Sequence, residues 1–348
     1  MLLSAQRCGG RCCSAIEHFG DSKLLARFTV KPIDMKKLLG VVVQTEGFSS
    51  DTTLLKLFQH LAFDKFRDEI DLLEAVNSSH FLKVRLERNV FDVSRELLYK
   101  HELDGVKLLP IGEENYPNCL AITSRPPAIL YVKGELSCLN SVPGVAVVGS
   151  REISSAGTEI TRRITTQLCE HSFVIVSGLA IGVDATAHRA ALQARGKTIA
   201  VLAHGLEEAK PKQNSRLGLE ILESGGIWVS EYPIGRKAMK QSFVQRNRIQ
   251  VGLSSGSVLI EASLDSGTMT QAEFCIKERR PLFAVVPHRE DNPLHLNCEG
   301  TQSLVDKGDA TPLRTRDDYD ELVKTLLTSK DNLSLRVSNF ALSTPSLL

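Results

Sequence analysis

Apolar and polar positions change rhythm along the 348 residues. Between residues 36 and 105 the apolar positions recur at helical spacing. In "DTTLLKLFQHLAFDKFRDEI" they fall at 54, 55, 58, 61 and 62, behind Asp51 as a candidate N-cap. "DVSRELLYKHEL" gives a second short helix. From Val145 the rhythm becomes one of short continuous apolar runs, at 145–149, 173–177, 198–202, 227–230, 257–261 and 282–286. Helical stretches separate most of them. Runs such as "FVIVS" and "TIAVL" show no alternation, which suits parallel strands buried on both faces. This order predicts an α/β fold, a doubly wound and mostly parallel sheet behind a small N-terminal all-α module.

The remaining stretches set boundaries. Residues 1–35 read as a weakly ordered extension and 36–105 as a small helical domain. The connector over 105–136 is broken by Pro126 and Pro127, with a strand candidate at 129–132. The α/β domain spans 106–311. Residues 312–348 are expected to hold one short helix, in "DDYDELVKTLLTS", followed by a loose tail without a winged-helix domain.

Composition changes this picture little. Hydrophobic residues are 42% and charged residues 24%, ordinary for a globular chain. The formal net charge is +1, so an anionic partner would have to meet a local concentration of cations. Eight cysteines are scattered without a C-x-x-C pair, which reads as a reduced, cytoplasmic protein. Cys8, Cys12 and Cys13 match no common zinc spacing, and no metal or cofactor is expected. No apolar run approaches the roughly 18 residues that cross a bilayer. The first residues are basic but lack the apolar core of a signal peptide.

In an open parallel sheet the carboxyl ends of the strands carry the ligand, so the residues after each run are the candidates. Gly149, Ser150 and Arg151 follow the first run. A helix N-terminus with an added guanidinium there would suit phosphate. "SGLAIGVDATAHRAAL" follows the second. Gly178 turns the chain and Gly182 permits close backbone approach. Asp184 and His188 are either an acid–base pair or, more simply, a cap and a satisfied buried histidine. "AHGLEEAKPKQN" follows the third run, with Lys210 and Lys212 at its surface or its rim. The fourth leads into "EYPIGRKAMKQSFVQRNRIQVGLS", which holds no acidic residue between Tyr232 and Ser254. Its Arg236, Lys237, Lys240, Arg246 and Arg248, with Phe243 and Asn247 among them, suit a single-stranded nucleic acid: cations along the phosphates, a ring under a base. Alternatively the arginines pair with Glu231 and Glu261, and Phe243 belongs to the core. Ser266, Gly267 and Thr268 form a further N–H-rich turn.

These stretches resemble the DNA-processing protein A (DprA/Smf) family. "VAVVGSR", "SGLAIGVDATAHRAAL", "TIAVLAHGLE", "SEYPIG", "FVQRNRIQVGLS", "VLIEASLDSGT" and "LFAVVP" match it in order and spacing over about 106–310, with "NYPNCL" and "PPAILYVKGEL" upstream. The resemblance implies a Rossmann-like fold and non-catalytic binding of single-stranded DNA. It also implies protection of incoming DNA in natural transformation, loading of the RecA recombinase, and a homodimer. It assigns the DNA pocket to Arg151, Lys240 and Phe243, with Arg246, Asn247 and Arg248 as the Arg-Asn-Arg element. The chain departs from the family at Lys210-Pro211, Gln271 and Pro287-His288. Two other classes stay open: a phosphoribohydrolase-like enzyme acting on nucleotides, and a nucleotide-sensing module. A dinucleotide-dependent dehydrogenase is disfavoured by the Gly178–Gly182 spacing and by the lack of an acidic residue ending the second run.

Overall fold

A computed structural model describes residues 33–45 and 51–343. The expected extension, up to residue 32, and the Cys8, Cys12, Cys13 cluster lie outside the described residues. Met35–Leu348 form one compact unit. The helices expected between 36 and 105 are α1 (Met35–Thr45), α2 (Asp51–His60), α3 (Glu69–Ser78) and α4 (Val90–Leu103). The sheet follows, with its crossover helices: β1 (Val106–Pro110), α5 (Asn118–Ala121), β2 (Ile129–Gly134), β3 (Gly144–Val148), α6 (Ser155–Glu170), β4 (Ile175–Ser177) and α7 (Val183–Gln193). Next come β5 (Thr198–Val201), α8 (Ser215–Glu223), β6 (Ile227–Ser230), α9 (Lys240–Gly252), β7 (Ser254–Leu259), α10 (Gly267–Lys277) and β8 (Leu282–Val285). The chain closes with α11 (Glu299–Asp306), β9 (Thr311–Leu313) and α12 (Tyr319–Ser343).

The strands form one sheet in the order β1-β2-β6-β5-β4-β3-β7-β8-β9. Only β1–β2 and β2–β6 are antiparallel; the other pairs are parallel. The order reverses at β3, whose neighbours β4 and β7 run away from it in opposite directions. A doubly wound, Rossmann-like sheet opens its ligand crevice at such a reversal.

The winding is visible in the core. Val145, Val147, Val258, Phe283 and Val285 face α6, α7 and α12 through Ile164, Leu168, Ala187, Leu322 and Leu326. Val148, Leu259, Leu282 and Ala284 face the opposite way, toward Val251 of α9, Ala272 and Cys275 of α10 and Leu304 of α11. Every residue of β3 to β8 is buried, and this is why the sequence shows unbroken apolar runs there instead of alternation.

The helices before the sheet pack on its antiparallel edge. Tyr131 of β2 donates its hydroxyl to Gln44 Oε1 at 2.7 Å. The buried His101 ring stacks on Tyr131 at 5.1 Å between centroids. His101 Nδ1 lies 2.6 Å from Leu97 O, and its Nε2 accepts the Ile234 N–H at 3.0 Å. That pair of contacts fixes a neutral tautomer, and burial holds the ring pKa below the usual histidine range.

The C-terminal expectation needs correction. In place of a short helix and a loose tail, α12 runs unbroken for 25 residues. Leu322, Leu326 and Leu333 keep a helical period on the buried face. Ser329 donates to Ser255 O at 2.6 Å and ties the middle of the helix to the start of β7.

Candidate nucleic-acid interface

The loop after β3 is anchored by backbone contacts and by the Ser150 hydroxyl, which donates to Glu152 O and accepts from Glu152 N, each at 3.0 Å. Ser150 N–H donates to Glu261 O at 2.8 Å, and Ser150 O accepts the Val183 N–H at 3.1 Å. Gly182 has φ +82°, and a Cβ there would fall 2.3 Å from Ser150 O and 2.7 Å from Arg151 O. The close approach expected at Gly182 is thus to this loop, and it needs a residue without a side chain at positive φ. The loop holds its own atoms still and leaves the Arg151 side chain exposed.

Arg151 meets Phe243. The guanidinium carbon lies 5.7 Å from the ring centroid, within cation–π range. Phe243 is 39% exposed, so the ring belongs to the surface and not to the core. Lys240 opens α9 three residues earlier, on the same helical face, and is exposed. Met239 and Val244 are exposed apolar neighbours of this face. They were missed as candidates; their signal is apolar positions at 239, 243 and 244 just before the arginines.

The Arg-Asn-Arg element lies elsewhere than expected. Arg246, Asn247 and Arg248 are all buried inside α9. Arg246 Nη1 donates to Val201 O at 2.8 Å, and a Cβ on Gly178 would fall 1.4 Å from the same nitrogen. Gly178 is therefore a seat for Arg246. Asn247 Nδ2 donates to Gly267 O at 3.1 Å, tying α9 to the start of α10. Arg248 donates to Arg125 O at 2.8 Å and Asp51 Oδ2 at 3.2 Å, and pairs closely with Glu231. These three residues act as scaffold under the exposed trio: the terminal nitrogens of both arginines and the Asn247 amide donate to protein acceptors, and only the two buried Nε groups lack a partner among the described residues. The pairing with Glu231 allowed by the sequence is present; the one with Glu261 is not.

Glu261 also corrects the expected anion site at the N-terminus of α6. Its fully buried carboxylate accepts from Ser154 N at 2.9 Å and Asn297 N at 3.0 Å. Ser154 Oγ caps Gly157 N at 2.8 Å. The protein thus supplies its own anion at this helix start. The turn before α10 is more open. Among the described residues Ser266 makes no side-chain cap, its Oγ has no partner, and nothing lies within 4 Å of where a Cβ on Gly267 would stand. Thr268 is buried.

Asp184 and His188 do not form an acid–base pair. Asp184 Oδ2 accepts from Gly178 N at 3.1 Å and Ala180 N at 3.3 Å, bracing the loop after β4. Burial pushes the Asp184 carboxyl up and the Arg246 guanidinium down, each opposed by the other's charge. His188 Nδ1 lies 2.7 Å from Thr198 Oγ1, and burial pulls its pKa down to about 3. Lys210 pairs with Glu208 at 3.0 Å, and Lys212 is exposed. Among the described residues no group of three or more His, Cys, Asp or Glu could hold a metal. No helix among them is long and apolar enough to cross a membrane.

The model of the DNA recombination-mediator protein A family matches residues 107–324. The chain belongs to this family. Protein Smf of Escherichia coli (strain K12) is 40% identical over 201 residues, which is 58% of this chain and 52% of Smf. DNA processing protein DprA of Streptococcus pneumoniae (strain ATCC BAA-255 / R6) is 41% identical over 202 residues, 57% of this chain and 70% of that protein. The chain therefore spans about half the length of E. coli Smf. The X-ray structure of DprA from S. pneumoniae superposes with a TM-score of 0.65 at 30% identity, covering 82% of this chain and 96% of that one. DNA processing protein A of Helicobacter pylori, whose structure concerns its single-stranded DNA binding mode, superposes with a TM-score of 0.56 at 30% identity. It covers 65% of this chain and 97% of that one. In this DprA-family chain, Gly149–Arg151 and the start of α9 both lie within the matched segment.

Proposed function

We propose that this chain binds single-stranded DNA at the carboxyl edge of its sheet, through Arg151, Lys240 and Phe243, and acts by binding rather than by chemical turnover. The observation that carries the reading is the exposed Arg151 guanidinium set against the exposed Phe243 ring, with Lys240 one helical turn away. Among the described residues neither cation has a carboxylate partner. Cations follow the phosphates of a strand, and the ring offers a face on which a base stacks. Gly149 and Ser150 hold Arg151 in place. Of Ser266, Gly267 and Thr268, the last two offer backbone N–H groups on the helix tied to α9 through Asn247, while the Ser266 N–H donates to Ser263 O at 3.2 Å. Membership of the DprA family supports the same reading, as does the single-stranded DNA binding of the H. pylori relative. The engagement of Asp184 and His188 in structural hydrogen bonds favours binding over hydrolysis. In the fuller form of the proposal the chain is a cytoplasmic homodimer. It protects incoming DNA during natural transformation and recombination and hands it to the RecA recombinase.

Titration of a labelled single strand across a salt series tests the site. If three or four phosphates are neutralised, the log–log slope is about −2 to −3. The Arg151→Ala, Lys240→Ala variant flattens that slope by roughly one to two units and weakens binding. Equal affinity for the same sequence as duplex, untouched by the two substitutions, would contradict the proposal.

A further inference from the structure

A second cationic place lies at the other end of the sheet. Arg280 stands between α10 and β8, at the amino edge of the strands, whereas Arg151 follows the carboxyl end of β3. Its side chain is 5% exposed. Nη2 donates to Cys119 O at 3.1 Å, while Nε and Nη1 have no acceptor among the described residues. The Glu278 carboxylate, two residues earlier, is held by Ser124 N at 3.0 Å and Ser124 Oγ at 2.5 Å. An arginine keeps its proton even when buried, so this is a desolvated cation with unused donors. Buried groups of this kind call for a partner.

The flanking residues Arg279 and Pro281 line a groove of about 460 Å³ against α12. Lys324, Asn332 and Arg336 line it from the helix. Arg336 and Arg280 repel each other, and burial together with that repulsion lowers the Arg280 pKa. Glu321 is the one carboxylate in the lining; it is 65% exposed and 3.8 Å from Lys324. Among the described residues Arg279 and Arg336 have no ion-pair partner. Leu333 lines this groove and also a neighbouring cavity of about 320 Å³, which is lined by Cys119, the residue that accepts from Arg280.

We propose that the groove between α12 and the Arg279–Pro281 turn binds a phosphate group, with Arg279, Lys324 and Arg336 as its exposed ligands; Arg280, between two lining residues in sequence, adds buried positive charge without lining the groove itself. Guanidinium forks match phosphate oxygens two at a time, and the excess of cations over carboxylates favours a phosphate anion. The phosphate comes either as a free ion or nucleotide, or as a phosphodiester of a nucleic acid. The site shares no residue with the Arg151 face, so the two proposals stand or fall separately.

Calorimetric titration of the full chain with inorganic phosphate, with thymidine monophosphate and with an oligothymidylate decides it. The Arg279→Ala, Arg336→Ala variant changes only exposed side chains, and its fold is checked by circular dichroism. It is expected to lose about tenfold or more in affinity for at least one of the three titrants. Arg151→Ala leaves binding of the two small probes unchanged. Loss confined to the oligonucleotide identifies a phosphodiester as the source; loss with phosphate or the monophosphate identifies a free ligand. Affinities for all three that are the same in the wild type and the variant, or no binding of any of them, overturn the site.

Discussion

At the residue scale, burial decides which cations are free to act. Arg151 and Lys240 reach solvent, whereas Arg246 and Arg248 do not. The Arg248 guanidinium is shared by Glu231 and Asp51, two carboxylates on one cation. Burial, with Asp51 pushing the same way and Arg248 opposing, raises the Glu231 carboxyl from 4.5 to about 7. The folded state therefore keeps the Glu231 proton to higher pH than the unfolded state does. Below about pH 4.5 both states hold the proton and the residue is neutral to stability. As pH rises through the interval up to about 7, the unfolded chain releases its proton first and stability falls. Urea midpoints measured from about pH 5 to about pH 8 should fall more steeply for the wild type than for Glu231→Gln. Parallel curves would show that Glu231 ionises normally in the fold.

At the scale of elements, the sheet was legible and the roles of its helices were less so. The runs at Phe173–Ser177 and Thr198–Leu202 announce β4 and β5 because both strand faces are covered; β2 to β8 each overlap an expected strand, whereas β1 and β9, at the two margins of the sheet, had none. The Arg-Asn-Arg stretch misled for a physical reason. A one-sided cluster of charge reads as surface, but the groups that neutralise Arg248 lie 17 and 197 residues away, and the seat for Arg246 is a glycine in another loop. Only the fold brings them together. The same limit hid α12, whose exposed Leu327 and Leu335 blur the periodicity of Leu322, Leu326 and Leu333. Leu326 packs on the α6–α7 side of the core and touches the space beside Gly256 in β7. Leu326→Ala is expected to cost about 2–5 kcal/mol in urea unfolding, since a fully buried leucine leaves a cavity. A loss below about 1 kcal/mol would mean that the helix is not docked as described.

At the scale of the whole molecule, the sheet separates two cationic places. Its carboxyl edge presents Arg151, Lys240 and Phe243, and its amino edge carries the groove lined by Arg279, Lys324 and Arg336. The antiparallel margin holds the helical segment, whose Asp51 and His101 reach the Glu231–Ile234 stretch leading into α9. The near-neutral total charge fits local binding at these places better than a field over the whole surface. In the proposed binding mode a base of single-stranded DNA stacks on the Phe243 ring. The only native tryptophan, Trp228, is 2% exposed, so a second one placed at the surface reports on its own surroundings. The most direct measurement is the fluorescence of Phe243→Trp during titration with an oligonucleotide. Saturable quenching by the single strand and not by the duplex is expected, with Phe243→Ala weakening binding by about 1–3 kcal/mol. Unquenched emission at saturating single strand, with Phe243→Ala binding as tightly as the wild type, would contradict this binding mode.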